Sequence, residues 1–305
     1  MSTPRRSLPK NPADRRRLLI RLLPLIVFFT LTVGMGLVHA VLQSLALAGP
    51  PALNSHHREM GIWYAYQALF MRPELLASLG HTLYVAVVSA TISVALGAVG
   101  AYLLWRAPGW VRRAGAVYRL PIILPHIVVA FLTMVLWSRS GIVSSLTHHL
   151  GITPEGDGFP RLLFSSNGVG IILAYVYKEF PFVMLLSMGV LDRIPQRMIS
   201  TAYMLGAGPV RTFFTVAVPL MAPMLNQIFI ILFLYTLGGF DIPWLLGGSS
   251  PQMVPMTVYS LYFQGSLSDR SIAMAALTMI AALAVVFVVI YSRIARRLAA
   301  WERPI

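Results

Sequence analysis

The chain contains no cysteine. Disulfides, thiolate nucleophiles and cysteine-based metal sites are therefore excluded. Lysine is nearly missing too, with only Lys10 and Lys178. Neither follows a glycine, so the Gly-x-x-x-x-Gly-Lys-Ser/Thr loop that cradles nucleotide phosphates is absent. Charge of either sign is scarce, at 11% of 305 residues, against about a quarter in a soluble domain. No Gly-x-Ser-x-Gly or His-Glu-x-x-His occurs. Gly238-Gly239-Phe240-Asp241 approaches Gly-x-Gly-Asp but does not match it. An intramembrane hydrolase, the alternative from a different functional class, therefore lacks its nucleophile-and-base patterns.

What remains is oily. Hydrophobic residues make up 57% of the chain, and the mean hydropathy is +0.73. That composition reads as an all-α polytopic membrane protein. Six segments reach the roughly 20 apolar residues that a span needs. They are Leu18–Leu47, Leu76–Trp105, Leu120–Trp137, Gly168–Leu191, Leu220–Leu246 and Ile272–Tyr291. Arg15–Arg17 before the first segment and Ala46-Leu47-Ala48 at its end look like a cleaved signal. The apolar run is much longer than the roughly 7–15 residues of a signal core, so it reads as a retained span.

The net charge of +14 comes almost entirely from arginine. It clusters in the N-terminal tail (Arg5, Arg6, Lys10, Arg15, Arg16, Arg17, Arg21) and in alternate connections. Those are Arg106, Arg112, Arg113 and Arg119, then Arg193, Arg197 and Arg211, then Arg293, Arg296, Arg297 and Arg303. The other connections hold only Arg58, Arg72, Arg139, Arg161 and Arg270, matched by Glu59, Glu74, Glu155, Asp157 and Asp269. The asymmetry predicts both termini in the cytoplasm. The basic side faces anionic membrane lipid, so nucleic acid is not needed as a partner. The expected layout is a basic tail over 1–17, a first span and outer loop over 18–75, five spans over 76–299 and a tail over 300–305. A cytoplasmic connection at 192–219 lies within the five-span part. Met1–Asp14, polar and proline-containing, reads as disordered. Two long outer loops carry Pro, Gly, His and Ser. His56 and His57 are adjacent and lack an i, i+4 partner, so no metal site is expected there. Trp63, Tyr64 and Tyr66 read as an interfacial belt.

In the second segment Ser89, Ser93, Gly97 and Ala101 recur every four residues. Small groups along one stripe let helix backbones approach closely. The spacing leaves open which helix the stripe meets.

Residues 192–219 predict a helix–turn–helix outside the membrane. Pro195 suits a helix start, and Met198, Ala202 and Leu205 share a face. Gly206 suits a left-handed cap. Pro209 starts a second short helix, and Pro219 interrupts it where the fifth span begins. The apolar face either lies on lipid or docks in a protein groove.

Lys178 and Glu179 fall near the middle of the fourth segment. Their side chains diverge by about 100° on a helix. Intramembrane charge either lines a path or locks helices together. The lock is the favoured reading, for example Glu179 with an arginine or Lys178 with Asp241. Asp241, between Gly238-Gly239 and Pro243, predicts an interrupted helix with a pore-lining or gating role. His126 reads as a hydrogen-bonded core histidine.

Ser200-Thr201-Ala202, Gly206 and Val216-Ala217-Val218-Pro219 resemble the cytoplasmic signature of ABC-importer permeases: Glu-Ala-Ala, three residues, Gly, nine residues, Ile-x-Leu-Pro. The glycine and proline keep that spacing, whereas Ser200 and Thr201 replace the family's Glu and first Ala. "SLGHTLYVAVVSATISVALGAVGAYLL", "LPIILPHIVVAF", "YKEFPFVMLLSMGVLDRIP" and "LGGFDIPWLLGGSSPQMVPMTVY" are similar to the polyamine, opine and phosphonate branch. The likeness covers roughly Pro73 to Arg297. It implies the type I importer permease fold in a bacterial inner membrane. It further implies a separate ABC ATPase dimer carrying ATP and Mg, a second permease subunit, an extracytoplasmic solute-binding protein, and no cofactor on this chain. ATPase coupling is carried over to Ser200, Thr201, Ala202, Gly206 and Pro219. The closer rival is an ion-coupled secondary transporter using Glu179 or Asp241 and no ATPase.

Overall fold

The computed structural model describes residues 12–49, 61–153 and 158–301. Residues 1–11, His56–Glu59, Glu155, Asp157 and 302–305 lie outside the described residues. Among those described the fold is all-α, and six helices are long and apolar enough to cross a membrane.

The first, α1 (Ile20–Ser44), has a π-helical turn at Thr30–Gly34. Its helix already begins at Pro12, so Pro12–Asp14 are helical rather than disordered. Most of α1 is exposed. Its part after the π-helical turn, Met35–Ser44, packs against the final helix, α6 (Leu267–Trp301). A hydroxyl chain fixes that end. Ser44 Oγ lies 2.8 Å from Tyr66 Oη, which lies 2.9 Å from Thr278 Oγ1 on α6. Tyr66 belongs to the short helix Tyr64–Met71, which leads into α2 (Pro73–Arg106). Pro73 opens α2, where no amide donor is lost.

Helix α2 is the axis of the bundle. It packs most extensively against α4 (Val169–Leu191), then against α5 (Pro209–Leu237). Ser89, Ser93 and Ala101 are fully buried and Gly97 is buried with them. The small-residue stripe therefore meets α4. At Gly97 a β-carbon would overlap Val183 Cβ and stand 2.9 Å from the Phe180 carbonyl oxygen.

Two expected spans are broken. Leu120–Trp137 divides into a short turn, Leu120–Ile123, and α3 (His126–Trp137). Pro125 is the cause. It pushes Leu124 out of the helical region, to φ −67°, ψ 136°, as a residue before proline prefers. With 12 residues, α3 rises only about 18 Å. The helix Ile142–His149 extends that crossing. Leu220–Leu246 also divides. Helix α5 ends at Leu237, and Asp241–Leu246 forms a separate short helix packed on α3. At Gly239 a β-carbon would overlap the Tyr175 hydroxyl, so the backbone at this break sits against α4.

Pro219 does not interrupt the helix that starts at Pro209. Residues Phe213–Ala217 form a π-helical turn, and the helix runs on to Leu237. A proline ring removes one i→i−4 bond and crowds that carbonyl. Widening the preceding turn relieves both.

Ion pairs tie the ends. Arg112 and Asp192 make a two-pronged bridge at 2.6 and 2.7 Å between the α2–α3 and α4–α5 connections. Arg72 and Asp269 join the starts of α2 and α6 at 3.2 Å. Asp269 also accepts from the Ser266 amide at 3.0 Å and hydroxyl at 2.7 Å, capping α6.

The Gly97 contact gives a direct test. Gly97→Ala is expected to destabilise the purified protein by about 1–3 kcal/mol through overpacking. Gly80 on the same helix has open space around it. Gly80→Ala should leave the melting temperature unchanged or higher. Equal melting temperatures for the two variants would show that α2 and α4 can move apart without cost.

Candidate functional site: an elbow and a broken-helix cluster

The elbow helix Gln196–Met204 follows α4 through Asp192–Pro195. One side chain anchors it: Ile199, 5% exposed. The expected face of Met198, Ala202 and Leu205 is not the buried one. Met198 and Leu205 point outward, and Met204 and Leu205 reach 80% and 79% exposure. Ser200 and Thr201 turn their hydroxyls back onto the carbonyls of Gln196 and Arg197, at 3.1 and 2.8 Å. Helical serine and threonine commonly bond in this way.

Gly206 has φ +78°. Its amide donates to the Tyr203 carbonyl, and the Ala207 amide reaches the Ala202 carbonyl, both at 2.9 Å. This is the glycine-terminated helix end expected from the sequence. Gly208 is extended, and Pro209 starts α5. Nothing lies within 4 Å of a β-carbon built on Gly206. The glycine is therefore required by backbone conformation, not by crowding.

The second limb of the elbow is fastened to α2. Tyr102 Oη donates to the Pro209 carbonyl at 2.9 Å, and its ring lies 5.0 Å from that of Phe213. The Arg106 guanidinium sits 5.6 Å from the Tyr102 ring and 5.7 Å from Tyr203 of the elbow helix. Together with Arg112–Asp192, these contacts hold the elbow at both limbs. Of the other expected coupling residues, Ala202 is half-buried and Pro219 lies inside α5 beyond the π-helical turn.

Deeper in the bundle, the two neighbouring charges of α4 part company. Lys178 Nζ donates to the carbonyls of Pro121 at 2.9 Å, Ile122 at 3.1 Å and Leu124. These belong to the break before α3, whose carbonyls lack helical partners. Glu179 is 3% exposed. It accepts from Ser93 Oγ of α2 at 2.9 Å and from Thr236 Oγ1 of α5 at 2.8 Å. Among the described residues neither of these ion pairs forms: Lys178 does not meet Asp241, and no arginine reaches Glu179. Both residues still join helices, but through neutral partners.

Asp241 is exposed at the start of the short helix beyond the α5 break. It lies close enough to His126 and Tyr175 for electrostatic interaction. His126 Nε2 bonds the Tyr235 hydroxyl, and Tyr235 meets Tyr175 edge-on with centroids 6.4 Å apart. Among the described residues no cluster of three metal-ligating side chains occurs.

Residues 93–300 match the family described as "Binding-protein-dependent transport system inner membrane component". The chain belongs to that family. The permease is 32% identical over 178 residues to the molybdenum transport system permease protein ModB of Azotobacter vinelandii. That alignment covers 58% of this chain and 75% of the relative. It is 29% identical over 180 residues to the maltose/maltodextrin transport system permease protein MalF of Yersinia pestis. There the match covers 57% of this chain but only 32% of the relative. The fold matches a chain of a bacterial ABC transporter that imports the acidic polysaccharide alginate. The TM-score is 0.74 and the identity 20%, over 93% of this chain and 98% of that one. The permease thus has the type I importer permease fold of an inner-membrane transport component.

Several contacts that build this site carried no readable signal. Ser93 and Thr236 are far apart in sequence and meet only around Glu179. Ile199 is the one branched aliphatic side chain of the elbow helix, which is a faint pointer to its anchoring role. Lys178→Met tests the carbonyl clamp. Losing charged hydrogen bonds costs about 1.5–3 kcal/mol, so the permease should melt earlier and yield less folded protein. A Lys178→Met permease that melts like the wild type but changes solute preference would move Lys178 from the clamp to the path.

Proposed function

We propose that this chain is a membrane-spanning subunit of an ATP-driven importer. It forms part of the path for a small solute, and an external ATPase drives it through the elbow. Family membership supports the transport role. The rigid mounting of Gln196–Met204 supports the elbow as the point of force transfer. A helix held by Ile199, by the Gly206 cap and by the Arg112–Asp192 bridge moves as one body with α4 and α5. Coupling needs an element both partners can bias between two packed arrangements. The exposed Met204 and Leu205 suit a groove in a partner. The partners are an ATPase dimer carrying ATP and Mg, a second permease subunit and an extracytoplasmic binding protein. The elbow end and both termini face the cytoplasm, following the arginine distribution.

With Ser200 in place of the family's acid and its hydroxyl bonded internally, the docking contact is mainly apolar. Ala202, Gly206 and Pro219 keep their part in it, and the Ser200 and Thr201 hydroxyls stay bonded to the preceding turn of their own helix.

For the solute we favour a polyamine-like organic cation. Asp241 is an exposed carboxylate outside any ion pair among the described residues. It follows Phe240, whose ring lies 5.3 Å from Tyr259, and shares its surroundings with His126. A carboxylate beside aromatic faces suits an amine. The positive charge of Lys178 is spent on backbone carbonyls. The named solutes of the similar proteins (molybdenum, maltose or maltodextrin, alginate) differ from one another and are not carried over.

Two experiments test these readings. Gly206→Val forces a β-branched residue into a left-handed conformation costing roughly 1–2 kcal/mol. ATPase association and transport should fall together. Full transport by a normally assembled Gly206→Val complex would remove the elbow as the coupling element. Asp241→Asn should cut uptake of labelled polyamine about tenfold, as loss of a charged contact predicts. Uptake of maltodextrin or molybdate in preference to polyamine would sink the cation reading and leave the importer reading intact.

A further inference from the structure

A groove of about 400 Å³ opens between the end of α2 and the first turns of α5. Its walls are Val99 and Leu103 on one side and Val210 and Phe214 on the other. Leu103, Val210 and Phe214 are each more than 60% exposed. Tyr102, 5% exposed, lines the buried side with Phe213. No acidic residue lines it, and the only charge is Arg106.

Arg106 is the last residue of α2. It is held in place: Nη1 donates to Tyr102 Oη at 3.2 Å, and two tyrosine rings flank the guanidinium. It makes no ion pair among the described residues. A pre-positioned guanidinium keeps several donors free for a phosphate. From Arg106 to Val99 the groove follows about 10 Å of helix into the apolar part of the span.

We propose that this groove binds an anionic phospholipid, with the phosphate on Arg106 and an acyl chain along Leu103 and Val99. The charge pattern identifies the occupant. A cation at the end of a span with a purely apolar slot below it matches a headgroup and its chain. The site touches helix α2 and the second limb of the elbow, and Arg106 also contacts Tyr203 of the elbow helix. The lipid therefore acts as a brace on the coupling element. This rests on the elbow end facing the cytoplasm.

The test uses the full permease complex in vesicles of phosphatidylcholine alone or with phosphatidylglycerol. Retained lipid is read by native mass spectrometry and coupling by ATP turnover. Phosphatidylglycerol should bind in preference and raise turnover. Arg106→Gln should weaken its binding about fivefold, the factor expected for one basic residue at a membrane surface. Leu103→Trp fills the slot without removing Arg106, and should displace the lipid as well. Equal retention of phosphatidylglycerol by wild type and both variants overturns the site. So does capture of a protein segment, not lipid, by a photoreactive side chain at position 103. If no ATPase associates in either lipid, the importer reading itself falls, and the brace with it. ATPase association without lipid preference removes the brace alone.

Discussion

Helices α2 and α4 approach so closely that Gly97 has no room for a β-carbon against Val183 and Phe180. Lipid already solvates apolar side chains, so helices in a bilayer gain little by hiding oil from oil. What they gain comes from close packing and from polar groups that find partners. The stripe from Ser89 to Ala101 supplies the first. Glu179, shared between Ser93 and Thr236, supplies the second at the same level of the bundle. One contact region thus sets the spacing of α2, α4 and α5, from which both the elbow and the broken helices are hung.

The elbow inherits its rigidity from that arrangement. It leaves α4 and enters α5, and both are packed on α2. Tyr102 of α2 reaches the first residue of α5, and Arg106 reaches the elbow helix through Tyr203. A push on the exposed end of Gln196–Met204 is therefore passed to three helices. The π-helical turn before Pro219 lets α5 stay continuous through that junction. A helix broken there would act as a hinge and absorb the displacement.

The breaks lie at the other functional level. Pro125 interrupts the approach to α3, and Gly238–Gly239 ends α5 early. Irregular backbone inside a membrane survives only where its polar groups find protein or water. Lys178 satisfies three of the freed carbonyls. Asp241 is left exposed beside the second break. The two charges nearest the breaks thus have different duties, one closing backbone valences and the other facing outward.

Six apolar runs, the small-residue stripe, the glycine-capped elbow and the interruption near Asp241 were all legible in the residues. Each is a local matter of run length, spacing or backbone freedom. The third segment reads as continuous because apolar length alone does not register the change of direction at Pro125. The partners of Lys178 and Glu179 were not legible, because nothing in the local sequence says which distant groups will stand beside them. In the bundle they are free carbonyls and hydroxyls. Sequence by itself determined which segments are helical and apolar and where glycine had to turn the chain, since those depend on neighbours a few residues away. Only the tertiary structure decided that α4 meets the stripe, that Ile199 anchors the elbow and what satisfies each buried charge. Those outcomes depend on residues tens of positions apart arriving within about 3 Å of each other.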